Sequence, residues 1–158
     1  VSRRDDMSLN IPQDGDAAPS FTFTVDADPG AADVAVLERG LHAYEEARLG
    51  SPEHRHFGVF MRDDLGRVLG GIDGHVMWRR LFIKTMWVAE PMRGQGYGTG
   101  LLRAAELEAM NRSCRSIWLT ALGDLACRFY LRLDYKVIGV LEDYVSSQSL
   151  YTLHKTLG

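Results

Sequence analysis

Cysteine is scarce in this sequence: Cys114 and Cys127 are the only two in 158 residues. Two thiols in a chain of this size make no disulfide framework, and they do not have the spacing of metal ligands. They are expected as reduced, buried side chains, and no metal is expected. Long apolar runs are missing as well. Nothing approaches the roughly 20 consecutive apolar residues of a membrane helix, and the opening stretch VSRRDDMSLNIPQDGDAAPS lacks the hydrophobic segment of a signal peptide. A cytoplasmic protein with no membrane partner is predicted. There is no excess of positive charge either. The net charge of -3 supplies no electrostatic reason to bind nucleic acid and leaves a mild bias toward cationic ligands.

What remains is the composition of one globular domain. Residues 1–19 carry Asp, Pro, Gly and Ser with few large apolar groups, so ordering them is not offset by burial. They are expected as a flexible tail, with residues 20–158 as the folded domain. FTFTV alternates Phe21, Phe23 and Val25 with threonines and predicts a strand. A helix is predicted from about Pro29, with Val34, Leu37, Leu41 and Tyr44 on one face and Gly50 just past its end. HFGVFMRDDLGRVLGGIDGHVMW reads as a hairpin turning at Asp63–Gly66, and LFIKTMWVAE as a further strand. A helix with Leu102, Ala105 and Ala109 inward follows, then the strand SIWLTAL and the short helix DLACRFYLRL, capped by Asp124. Two strands, YKVIGVLEDY and SLYTLHKTL, close the chain. The fold class is therefore α+β: a mixed, mostly antiparallel sheet of about six to seven strands flanked by helices.

The stretch RGQGYGTG, residues 93–100, places four glycines at alternate positions immediately before a helix. It fails the G-x-G-x-x-G dinucleotide fingerprint, and no G-x-x-x-x-G-K-[ST] loop is present. Bare backbone at a helix mouth nevertheless suits a phosphate or pyrophosphate, because the first-turn N-H groups are unsatisfied and carry partial positive charge. A flexible loop or a simple helix cap is the competing structural reading.

The segment from Arg93 to Gly98 fits R-x-x-G-x-G, and ACRFYLRLDYKVIG is similar to an A-x-x-F-Y-x-x-x-G-F segment. In both respects the chain resembles the GCN5-related N-acetyltransferase (GNAT) superfamily over about residues 21–157. The resemblance implies a single GNAT-type domain, with acetyl-CoA as cosubstrate. Main-chain groups of Met86 and Val88 would hold the pantetheine arm. Amides around Arg93, Gly94, Gln95, Gly96, Gly98 and Thr99 would wrap the pyrophosphate. Tyr130 would be the general acid that protonates the coenzyme A thiolate as it leaves, its reference pKa of about 10 being near that of a thiol. Simple packing of Phe129 and Tyr130 on the sheet is the alternative.

The implied reaction is N-acetylation of a primary amine by direct attack in a ternary complex. The acceptor is a small molecule or a protein, and a homodimer is left open. A non-catalytic acyl-CoA sensor and a GNAT-fold protein-interaction domain are the rival readings. The base is less legible. LFIKTMWV carries Lys84 as its one ionisable residue, where some relatives have a carboxylate. Asp73, His75, Glu90 or a water chain remain. Gly123 stands where many relatives have asparagine, and Asp134 with Tyr135 replaces the usual Gly-Phe. His42, Tyr44, Glu45, Glu46, Glu142, Asp143 and Tyr144 lie in the segments that flank the acceptor in the family.

Overall fold

The computed structural model describes residues 21–158. The tail expected over residues 1–19 lies outside them. The chain divides into two compact units, one ending at Gly50 and one spanning Ser51–Gly158.

Helix α1, Ala31–Leu49, belongs to the first unit and ends where Gly50, at φ +79, sends its N-H back to the Glu46 carbonyl. That is the left-handed stop the sequence predicts. The strand expected at FTFTV does not form. Phe21, Phe23 and Val25 are exposed in irregular backbone, and the two phenylalanine rings meet edge to face at 5.7 Å. Alternation marks residues suited to a strand but supplies no neighbour, and a strand exists only where another one accepts its hydrogen bonds.

The second unit contains strands β1 (Arg55–Arg62), β2 (Val68–Met77), β3 (Arg80–Val88), β4 (Ser116–Leu122), β5 (Lys136–Val145) and β6 (Gln148–Thr156), with helices α2 (Tyr97–Asn111) and α3 (Asp124–Leu131). They make one six-stranded sheet in the order β1-β2-β3-β4-β6-β5. Every pairing is antiparallel except β3 with β4. The class is α+β, with six strands rather than seven. A one-turn 3-10 helix over Glu90–Met92, unforeseen in the sequence, bends the chain out of β3. Pro91 fits its first turn because the missing N-H is not needed there.

One sheet face carries both α2 and α3. Phe57 of β1, Ile72 and Val76 of β2, Leu81 and Ile83 of β3, Ile117 and Leu119 of β4 and Leu153 of β6 are buried against Leu102, Ala105 and Ala109 of α2 and Tyr130 of α3. Cys114 and Cys127 are free thiols in this core, as the sequence suggests. Helix α2 stops where Ser113 turns left-handed at φ +60. Its N-H then reaches the Met110 carbonyl and the next amide, of Cys114, reaches Ala109. This is the paired C-terminal bond pattern usually built on glycine. Asp124 does not cap α3. Gly123 holds the N-cap position at φ +79, and Asp124 instead accepts a hydrogen bond from the Tyr151 hydroxyl at 2.5 Å.

Two irregularities shape what lies beyond the core. Asp73 is opposite Thr85 while Gly74 is opposite Ile83, so Lys84 is an extra residue bulged out of β3. The bulge shifts the side-chain alternation by one: Leu81 and Ile83 face the helices before it, Met86 and Val88 after it. In addition, β3 and β4 pair only from Arg80 with Ser116 to Ile83 with Leu119. Beyond that point the two parallel strands separate.

Candidate active site

The separation leaves one edge of β3 open. The Ala89 amide donates to the Leu69 carbonyl of β2 at 2.8 Å. Alternate residues of a strand direct their backbone groups to opposite sides, so those of Met86 and Val88 point away from β2, into the gap left by β4. The Val88 carbonyl accepts a bond from Arg93 Nε at 2.9 Å, which ties the glycine loop back to this strand.

The gap widens into a cleft of about 580 Å³, a size suited to an elongated small molecule. Met86, Val88, Arg93, Gly94, Gly96, Gly98, Thr99 and Tyr130 all line it. Gln95 does not. Its side chain turns away to donate to the Pro91 carbonyl at 2.8 Å, bracing the loop from behind. Sequence reasoning missed the α3 wall of Leu125, Phe129 and Arg132. The signal was present, since these residues recur at i, i+4 and i+7 and so share one helix face.

The glycines serve different needs. Gly94 and Gly96 sit at φ +74 and +87, which other residues rarely adopt. A Cβ at Gly98 would meet Phe129 at 3.4 Å and Met86 at 3.5 Å, and one at Gly100 would meet nothing within 4 Å. Gly96 is the N-cap of α2, and the first intrahelical bond is from the Gly100 amide to its carbonyl. The amides of Tyr97, Gly98 and Thr99 are therefore spare donors at the positive end of a 15-residue helix. With Arg93 and Arg132 beside them, the cleft mouth suits phosphates.

Tyr130 is 8 % exposed, with its ring edge-on to Phe129 and Tyr135, and its hydroxyl lies 3.4 Å from Met86 Sδ. Burial pushes its pKa up to about 12, so the phenol keeps its proton well into the alkaline range. The departures around it are absorbed locally. Asp134 occupies φ +66, a conformation aspartate tolerates better than most residues. Tyr135 is buried at 2 %, with Lys155 Nζ 5.4 Å above its ring. A side chain at Gly123 would be strained at φ +79 and would lie 2.7 Å from Gln148 Oε1.

The match of the Acetyltransferase (GNAT) family model to residues 23–135 decides the affiliation. This chain belongs to the GNAT acetyltransferase family. An acetyltransferase of Agrobacterium fabrum is 36% identical over 115 residues, covering 73% of this chain and 84% of that one. A blasticidin-S acetyltransferase of Streptomyces morookaense is 28% identical over 102 residues, covering 64% and 75%. A solved structure assigned to an acetyltransferase of Agrobacterium tumefaciens superimposes with a TM-score of 0.81 at 32% identity, over 86% of this chain and 99% of the other. Enzymes of the GNAT family use acetyl-CoA. The open β3 edge, the spare amides and the basic mouth are chemically matched to its amide-rich arm and its phosphates.

None of the three candidate bases lines this GNAT cleft. Asp73 and His75 alternate with the buried Ile72, Gly74 and Val76 and so face the side of the sheet away from α2 and α3. Asp73 Oδ1 lies 2.7 Å from His56 Nε2, and His75 stacks on His54 at 4.9 Å. Partial burial, with help from His54, lowers the His75 pKa. Glu90 is exposed on the 3-10 turn. Of the expected acceptor residues, His42, Tyr44, Glu45 and Glu46 lie on α1, and Glu142, Asp143 and Tyr144 on the exposed end of β5. Among the described residues, no group of three or more His, Cys, Asp or Glu is placed to hold a metal ion, and no helix is long and apolar enough to cross a membrane.

The loop assignment makes a direct prediction. Valine at position 96 must hold φ near +87, where a β-branched residue is a severe outlier. Gly96→Val is expected to weaken acetyl-CoA binding by about tenfold or more, read by calorimetry, while Gly100→Ala binds as the wild type does. Equal affinities for Gly96→Val and wild type would remove the loop from the site.

Proposed function

We propose that this protein transfers the acetyl group of acetyl-CoA to a primary amine by direct attack within a ternary complex. The supporting observation is the position of the Tyr130 hydroxyl, buried and protonated in a cleft whose other walls are the open β3 edge and the glycine loop. Met86 and Val88 align the pantetheine arm through their main-chain groups. The glycine loop, from Arg93 to Thr99, holds the pyrophosphate. The amine nitrogen attacks the thioester carbonyl, the tetrahedral intermediate collapses with rupture of the C-S bond, and Tyr130 donates its proton to the departing thiolate. The amine gives up its own proton through water, since the side chains of Asp73, His75 and Glu90 stand elsewhere. The acceptor is an amine of a small molecule or a protein, with the relative named for blasticidin S supporting a small molecule.

The test begins with the thermal midpoint in matched acetyl-CoA, coenzyme A, ATP and NAD. A ligand bound only by the folded state raises the midpoint by mass action. A rise with the two coenzyme A species alone, followed by amine-dependent thiol release, is the expected result. Binding without thiol release across a broad amine panel would favour an acyl-CoA sensor. No binding at all would favour a protein-interaction domain.

A further inference from the structure

A second cleft, of about 610 Å³, opens at the other end of the sheet. It lies between the segment entering β1, the turn joining β2 to β3 and the C-terminus of α2. Arg112 caps the end of α2 opposite to Gly96, and 15 residues of helix rise about 22 Å. The two clefts are therefore separate sites.

Three guanidiniums line the second cleft, those of Arg55, Arg79 and Arg112, against the single carboxylate of Glu53. In a chain of net charge -3 this is a local reversal of sign. Each guanidinium is also steadied by neighbours. Arg79 Nε donates to the Ser113 carbonyl at 2.9 Å. Arg112 donates through Nε to Glu108 at 2.8 Å and through Nη1 to the His56 carbonyl at 3.2 Å. Arg55 Nη2 is 2.5 Å from Glu53 Oε2. Both terminal nitrogens of Arg79 and Nη2 of Arg112 remain without a partner among the described residues. Donors fixed in this way are oriented before a ligand arrives. The same three arginines oppose the rise that burial imposes on the adjacent Cys114 thiol.

The backbone around the cleft is strained. Of the eight described non-glycine residues with positive φ, four line it: Glu53 at +47, Trp78 at +46, Arg79 at +58 and Ser113 at +60. Trp78 and Arg79 form a two-residue hairpin turn that normally selects Asn-Gly, and a bulky residue held there costs on the order of 1 kcal/mol. The Trp78 side chain is moreover part of the cleft wall, and its Nε1 is buried with no acceptor among the described residues. Nothing in acetyl transfer at the other end of α2 uses any of these features.

We infer that this cleft binds the phosphate dianion of a small organic phosphate monoester. A carboxylate would be matched by one guanidinium fork. Arginines arriving from β1, from the β2–β3 turn and from the end of α2 converge instead on an anion with acceptor oxygens in several directions, and the local charge, three guanidiniums against the carboxylates of Glu53 and Glu108, is positive.

The test follows the indole N-H signal of Trp78 in ¹⁵N-labelled protein, assigned with Trp78→Phe, during titration with inorganic phosphate. Saturating coenzyme A is present to occupy the glycine loop, and the reporter is local to the second cleft even if coenzyme A does not bind. Expected are a saturable shift with phosphate, affinity lowered about tenfold or more in Arg55→Ala and Arg79→Gln, and tighter binding in Glu53→Gln, which removes the opposing carboxylate. The last variant keeps the test decisive where an arginine variant fails to fold. The inference is overturned by an absent or unsaturable shift, by an equal shift with sodium chloride at matched ionic strength, by acetate binding as tightly as phosphate, or by unchanged affinity in Glu53→Gln.

Discussion

Tyr130→Phe is expected to lower turnover by roughly tenfold to ten-thousandfold while leaving acetyl-CoA affinity within about twofold of wild type. The substitution removes one oxygen and keeps the ring that packs edge-on against Phe129 and Tyr135. The hydroxyl's partner is Met86 Sδ at 3.4 Å, a weak acceptor, so little folding energy goes with it. What is lost is the proton for the thiolate. If kcat with a verified acceptor is unchanged in this variant, the thiolate takes its proton from water and Tyr130 is packing alone. The pH profile carries the same assignment. The acid must be protonated to act, and burial raises the Tyr130 pKa to about 12, so no loss of activity between pH 8 and 10 is expected from this group. The stability linkage has the corresponding sign. A tyrosine whose folded pKa lies above its unfolded value of about 10 contributes stability that is present in full below pH 10 and is lost as pH rises through about 12.

Gly74→Ala is expected to destabilise the protein by on the order of 3 kcal/mol, read as a lower urea midpoint and a thermal midpoint roughly 6 to 12 °C lower. A Cβ at this position would lie 2.1 Å from the Phe82 carbonyl oxygen. That atom is backbone and cannot swing aside, so β2 and β3 must move apart next to the Lys84 bulge. The damage is expected to spread to function, because the bulge is what turns Met86 and Val88 toward the cleft. Acetyl-CoA affinity should fall together with stability in Gly74→Ala. Gly40→Ala is the control: it lies within α1 with nothing within 4 Å of a Cβ, and removing a helical glycine favours the helix. A Gly74→Ala protein of wild-type stability would mean that β2 and β3 do not approach as described.

Much of this architecture was legible beforehand, for identifiable reasons. Leu102, Ala105 and Ala109 are spaced by a helix period, and they are the residues buried on α2. SIWLTAL alternates, and Ile117, Leu119 and Ala121 are buried along β4. The R-x-x-G-x-G loop pointed to the helix mouth because glycine leaves a recognisable local mark wherever φ must be positive. Failures arose where the deciding atoms are distant in sequence. FTFTV has the pattern of a strand but pairs with no strand among the described residues. Asp124 has the chemistry of a cap, yet a tyrosine hydroxyl from β6 accounts for it.

The sequence by itself determined the period of each element, the places where the chain must turn left-handed, and the GNAT motifs, because propensity, periodicity and backbone sterics act over a few neighbouring residues. The tertiary structure decided the rest. Only the divergence of β4 from β3 opens the edge at Met86 and Val88, and only the Lys84 bulge sets which side chains follow the core face. Only packing between sheet and helix buries Tyr130 and raises its pKa from about 10 to about 12. Likewise, Arg55, Arg79 and Arg112 are far apart in the chain and meet around one cleft. Such convergence depends on strand register and helix placement, which no single stretch of sequence contains.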